Sequence, residues 1–216
     1  HFMKLYIISG LGADRKVFEN IIFPGKFSEI IFIDWLMPHQ EESLGHYVER
    51  MAASIDETEA FCLLGYSFGG IVVQEIHKLK PAKKIVILGS IKSHKEKSIA
   101  FQLARKSKIF EKVSESYFNE EKLKSLEFIR KVFHPKLWHY FTIKTPSYLK
   151  WSINKILEWE SEENPEVVQN GDAADGADPH ANRETGRNRC PDRPAPARFR
   201  HLKTPARRRR DAPHPP

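Results

Sequence analysis

The five residues Gly65-Tyr66-Ser67-Phe68-Gly69 constrain this chain more than any other segment. They follow the short apolar run Phe61-Cys62-Leu63-Leu64 and open into a helical pattern over residues 70–80. A strand that turns at once into a helix leaves no room for side chains beside the turn, so both flanking positions are glycine. Such a bend lifts the Ser67 hydroxyl above the end of the strand, where a base can reach it. The next amide, Phe68 N–H, then points to where an oxyanion would form, with a helix N-terminus behind it.

The surrounding apolar runs alternate between two periods. Residues 4–9 (KLYIIS) read as a buried strand that ends at Gly10-Leu11-Gly12. Residues 14–22 read as a short helix stopped by Pro24-Gly25, and residues 29–34 (EIIFID) as a second strand. Over residues 41–58, Leu44, Tyr47, Val48, Met51, Ala52 and Ile55 fall at steps of three and four, on one face of an amphipathic helix. Residues 61–65 form the third strand, and the helix that follows ends at Lys80-Pro81. Residues 84–88 (KIVIL) form the fourth strand. Strands alternating with helices predict an α/β fold, a mainly parallel sheet with flanking helices. The near-continuous apolar strands fit burial on both faces.

Residues 91–160 read as helices only. Thr145-Pro146 is an N-cap followed by the first helical residue, with Leu149, Ile153, Ile156 and Leu157 on one face. Residues 119–133 read as a further helix, with Leu123, Leu126 and Ile129 in register. Large aromatics crowd this region, from Phe101 to Trp159. A helical insertion here would lie over the Ser67 side of the sheet as a cap. Most of its rings would pack the cap onto the sheet, and some would line an apolar pocket. Residues 166–169 (EVVQ) read as a short fifth strand.

The formal charge of +7 is unevenly spread. Residues 1–168 carry 24 Lys and Arg against 22 acids, whereas residues 169–216 carry 11 against 6. The basic excess therefore belongs to the tail, and the body gives no reason to expect nucleic acid as a partner. Cys62 and Cys190 fall in unlike segments and imply neither a disulfide framework nor a metal site. No apolar run reaches the roughly 18 residues of a membrane span. The default expectation is a cytoplasmic, reducing location. Met3 is a more natural start than His1.

Composition breaks near Gln169. Residues 169–216 contain no Ile, Val or Met, but hold eight of the 14 prolines and ten of the 14 arginines. Such a segment cannot bury enough apolar surface to offset its ordering entropy, which predicts disorder. The body favours Lys and Ile, the tail Arg, Ala and Pro. That change is the signature of a shift in reading frame or gene source, set against a natural basic tail.

Three motifs together resemble the α/β-hydrolase superfamily, in particular its small bacterial lidded esterases and lipase-like members. They are Ser9-Gly10-Leu11-Gly12-Ala13-Asp14, Gly65-Tyr66-Ser67-Phe68-Gly69-Gly70 and Asn164-Pro165-Glu166-Val167-Val168. The resemblance covers about residues 3–170. It implies a hydrolase core over 1–90 and 161–180, a helical cap over 91–160, and a disordered Pro/Arg-rich tail over 181–216. It implies Ser67 as nucleophile and the amides of Leu11 and Phe68 as the oxyanion hole. It also implies an aspartate after the next strand and a histidine some 25–30 residues further on.

The sequence departs from that pattern at the C-terminus, where the fold reads as incomplete. Counting back from Pro179 selects Asp175, and counting forward from Gly171 lands on Ala174. Asp172 and Asp178 stay as rivals. No Gly-His pair follows, and His201, 26 residues after Asp175, is the histidine at a fitting distance. The expected site is therefore Ser67, Asp175 and His201 with Leu11 and Phe68, without metal or cofactor.

The resemblance implies a serine hydrolase acting on carboxylic esters, with a small-molecule substrate whose acyl group is apolar. The rival reading is a catalytically defective hydrolase fold that binds without turning over. Other polar residues read as structural: Asp14 as a helix cap, Asp34 as a loop anchor, His46 and His77 as surface residues, His134 and His139 as parts of the cap.

Overall fold

The computed structural model describes residues 3–125 and 135–170. Five strands, β1 (Met3–Ile8), β2 (Phe27–Phe32), β3 (Phe61–Tyr66), β4 (Lys84–Leu88) and β5 (Val167–Gln169), form one sheet in the order β2-β1-β3-β4-β5. Every pairing is parallel. The period of two sorts the strands' side chains onto two faces. Tyr6, Ile8, Leu63, Ile85 and Ile87 point into one core, which α1 (Leu44–Ala52) and α2 (Phe68–Leu79) cover. Leu5, Ile7, Cys62, Leu64 and Leu88 point into the other, which Phe18, Ile21 and Phe23 cover.

The strand order places a topological switch between β1 and β3. The chain leaves β1 towards one edge of the sheet and returns to β3 on the other side, so the loops after β1 and β3 meet at the switch. Open parallel sheets bind ligands at such a switch point.

Several expected elements shift for local reasons. β2 starts at Phe27 rather than residue 29, because it pairs with β1 from Met3 onward. The expected helix over 14–22 is a single 3₁₀ turn, Arg15–Phe18, capped as read by Asp14, whose carboxylate accepts the Lys16 N–H at 2.8 Å. The helix expected over 41–58 shortens to α1, which Ser43 caps by accepting the His46 N–H at 3.1 Å. Thr145 and Pro146 occupy the N-cap and first position of the last helix as expected, yet the Thr145 hydroxyl makes no capping bond.

Between β4 and β5 the chain forms α3 (Ile99–Ser107), α4 (Ile109–Lys112), α5 (Glu120–Ser125) and α6 (Pro146–Glu158), with short 3₁₀ turns among them. Residues 126–134 of the expected 119–133 helix lie outside the described residues, as does His134. Among the described residues no helix is long and apolar enough to cross a membrane.

The aromatics of α6 pack onto the elements beneath. Trp151 lies against Tyr47 of α1, with ring centroids 4.3 Å apart, and its indole donates to the Glu42 carbonyl at 2.7 Å. His77 is a correction to the sequence reading, because its side chain is only 12% exposed. Its Nδ1 accepts the Ala82 N–H at 3.0 Å, so Nε2 carries the proton and faces Glu166 at 3.0 Å. The imidazole thereby ties the end of α2 to the segment leading into β5.

Candidate active site

Ser67 lies between β3 and α2 with φ 52° and ψ −118°. A non-glycine residue in that region costs roughly 1–3 kcal/mol and persists only where its surroundings impose it. Here β3 and α2 are both anchored in the core, and no longer turn joins them. The Ser67 N–H donates to Leu88 O and the Gly70 N–H to Ser67 O, each at 2.9 Å. A Cβ on Gly65 would lie 2.6 Å from the Gly70 Cα, and one on Gly69 would lie 2.8 Å from the carbonyl carbon of Ile8. Both glycines are thus required by close backbone approach. Ser67 is half-buried, and its hydroxyl makes no capping bond to α2.

The loop after β1 adjoins this turn. A Cβ on Gly10 would lie 3.3 Å from the Ser67 Cβ. The loop closes on itself, with the Ser9 hydroxyl donating to Ala13 O at 2.6 Å and the Ala13 N–H to Gly10 O at 3.0 Å. Gly12 takes φ 68°, a left-handed conformation that suits glycine, and the Phe141 ring occupies the space a side chain would need. The carbonyl of Gly12 accepts the N–H groups of Thr142 at 2.7 Å and Ile143 at 2.9 Å. Ala13 and Phe141 form an antiparallel bridge. The segment preceding α6 therefore clasps the loop that holds Leu11.

Aromatic side chains pack beside the turn. Trp35 stacks on Phe68 with centroids 5.1 Å apart and planes 8° apart. Tyr148, fully buried, places its hydroxyl 3.4 Å from the Gly12 N–H. Burial raises the pKa of Tyr148, and it pushes that of Tyr66 to about 12, so both phenols stay neutral. In such surroundings a fixed amide dipole acts at low dielectric and is worth more than in water.

Against this geometry, no protein-family description and no curated protein sequence matches the chain. Solved structures do. MenH from S. aureus aligns at TM-score 0.50 and 16% identity, over 70% of this chain and 65% of that one. The bottromycin epimerase BotH, solved with bottromycin A2, aligns at TM-score 0.50 and 13% identity, over 78% of this chain and 72% of that one. The parallel sheet with flanking helices is the architecture it shares with them. The chain has the α/β-hydrolase fold. It spans about two thirds of the MenH chain.

Within the α/β-hydrolase fold, the described residues bring three of the expected positions together. Ser67 and Phe68 form the turn, and Leu11 lies in the adjoining loop. Asp175 and His201 lie outside the described residues, as do Asp172 and Asp178. Sequence reasoning missed Trp35, Thr142 and Ile143, and placed Tyr148 only among the aromatics of the cap. Each contributes through a tertiary contact to a backbone group, which no local pattern announces.

Two other features lie apart from the turn. A cavity of about 860 Å³ opens between α3, α4 and α6, lined by Lys97, Gln102, Arg105, Phe110, Asn154 and Leu157 among others, and none of Ser67, Leu11 or Phe68 borders it. Among the described residues, His39, Glu42 and His46 could gather around a cation. Their shared carboxylate is already engaged by Arg50 at 2.8 Å and His46 at 2.7 Å, so the cluster is satisfied without an ion.

Proposed function

We propose that the chain is a serine hydrolase that transfers the acyl group of a small-molecule carboxylic ester to water. The observation that carries this reading is the strained Ser67 turn standing beside the Gly10–Gly12 loop at the β1/β3 switch point. Ser67 Oγ attacks the ester carbonyl carbon while a histidine takes its proton, and the carbonyl oxygen becomes an oxyanion. The Leu11 and Phe68 amides stabilise that charge, each contributing a few kcal/mol. The alcohol departs with the proton, and water then attacks the acyl-serine and regenerates the hydroxyl.

His201 serves as the base and Asp175 as its orienting acid in this proposal. Residues 91–160 act as the cap, and the aromatic side chains packed around Phe68, Trp151 among them, make the surroundings of the turn apolar, which suits an apolar acyl group. Hydrolysis of 4-nitrophenyl butyrate by the full chain tests the reading. Turnover that disappears in Ser67→Ala supports it, and turnover that survives the substitution rejects it.

A second reading, a hydrolase fold that binds an ester-like ligand without turnover, is favoured by the change of composition near Gln169, beyond which no Gly-His pair follows. Absence of turnover together with saturable binding of a butyrate ester, measured by calorimetry, selects that reading.

A further inference from the structure

We infer that Trp35 is the positioning residue of the oxyanion hole, aiming the Leu11 amide through the peptide carbonyl of Gly10. This rests on the hydrolase reading and extends it to a residue outside the expected site.

The argument turns on one peptide plane. In a trans peptide the carbonyl and the following N–H point in opposite directions and rotate as one rigid unit. The Gly10 carbonyl and the Leu11 N–H share such a unit. Gly10 has no side chain to hinder that rotation, so the direction of the Leu11 N–H is set by whatever holds the Gly10 oxygen. Two donors hold it: the indole Nε1–H of Trp35 at 2.9 Å and the Ala13 N–H at 3.0 Å. The Ala13 bond belongs to the loop and moves with it. The Trp35 bond comes from 25 residues away in sequence, just beyond β2, and refers the plane to the sheet.

Trp35 is itself fixed from the opposite side of the site. Its ring lies flat on Phe68, whose own N–H is the other expected oxyanion donor. It also abuts Tyr148, at a centroid distance of 6.1 Å. One indole thus fixes the peptide that carries one donor and packs on the residue that carries the second. Rigid support of this kind keeps a catalytic group within the fraction of an ångström that a transition state requires.

The test compares Trp35→Phe, which keeps a ring to stack on Phe68 and removes the N–H, with the wild-type chain and with Ser67→Ala. The substrate is 4-nitrophenyl butyrate, and kcat, KM and Tm are measured for each. The expected result is a fall in kcat of roughly 10- to 100-fold, with KM within about twofold and Tm within a few degrees. Trp35→His, whose ring can still donate an N–H, recovers part of the lost kcat. Wild-type kcat in Trp35→Phe overturns the inference and leaves the hydrolase reading intact. So does a fall in kcat matched by a rise in KM and a drop in Tm, or failure of Trp35→His to recover. Turnover in the wild-type chain that does not depend on Ser67 overturns both.

Discussion

Gly69, in the first turn of α2, is pressed against the backbone of Ile8 at the end of β1, where a Cβ would stand 2.8 Å from the Ile8 carbonyl carbon. That contact brings the helix N-terminus, the serine turn and the loop after β1 into one place. Gly69→Ala therefore strains the turn itself. Overpacking against immobile backbone costs roughly 3 kcal/mol. The expected outcome is a matching drop in urea unfolding free energy, together with loss of Ser67 reactivity. Gly25→Ala is the control, because nothing lies within 4 Å of its Cβ position, and it changes stability by less than about 0.5 kcal/mol.

Lys97 makes stability depend on pH in the alkaline range. Its side chain is buried at the C-terminal end of α6, donating to Leu157 O at 2.9 Å and to Trp159 O. Burial, with Arg105 adding repulsion, pushes its pKa down to about 8 from an ordinary 10.5. Between those values the unfolded chain binds the proton that the folded chain has released, so stability rises with pH over that window. Urea midpoints at pH 7.5 and 9.5 check this. The wild-type chain gains on the order of 1–2 kcal/mol relative to Lys97→Met across that interval. Parallel pH dependence in the two proteins contradicts it.

Glu42 gives the opposite dependence at acid pH. Burial alone would raise its pKa, but the His39 N–H, Arg50 and His46 together hold it below the ordinary 4.5. Its contribution is present above that value and is lost as pH falls through the lower folded one. Glu42→Gln leaves Arg50 without its carboxylate and costs roughly 3 kcal/mol at pH 7, a difference that shrinks as pH falls through the lowered pKa of Glu42. Circular-dichroism melts from pH 3 to 7 measure both quantities.

Strands were the most legible part of the fold, because Leu5, Tyr6, Ile7 and Ile8 or Ile85, Val86 and Ile87 leave a buried parallel strand as the physical reading. The start of α2 was less so. Gly69 and Gly70 weaken helix propensity, yet they lie inside the helix, where Ile8 and Ser90 come too close for side chains. Tertiary approach overrode propensity there. His77 read as exposed because its helix position looked like surface, whereas its Nε2 partner, Glu166, comes from 89 residues away. The sharp turn at Ser67 was legible because such a bend needs glycine at Gly65 and Gly69. Trp35 was not, since a single hydrogen bond from an indole to a distant carbonyl leaves no periodic trace. The roles of Asp175 and His201 rest on the family resemblance alone.

The central claim is that Ser67 is an activated nucleophile, and covalent capture tests it most directly. The full chain is incubated with a fluorophosphonate and analysed by intact mass and peptide mapping, beside Ser67→Ala. The account predicts one phosphonyl adduct per chain, located on Ser67 and absent from the variant. A chain that stays unlabelled, or an adduct that persists in Ser67→Ala, contradicts it.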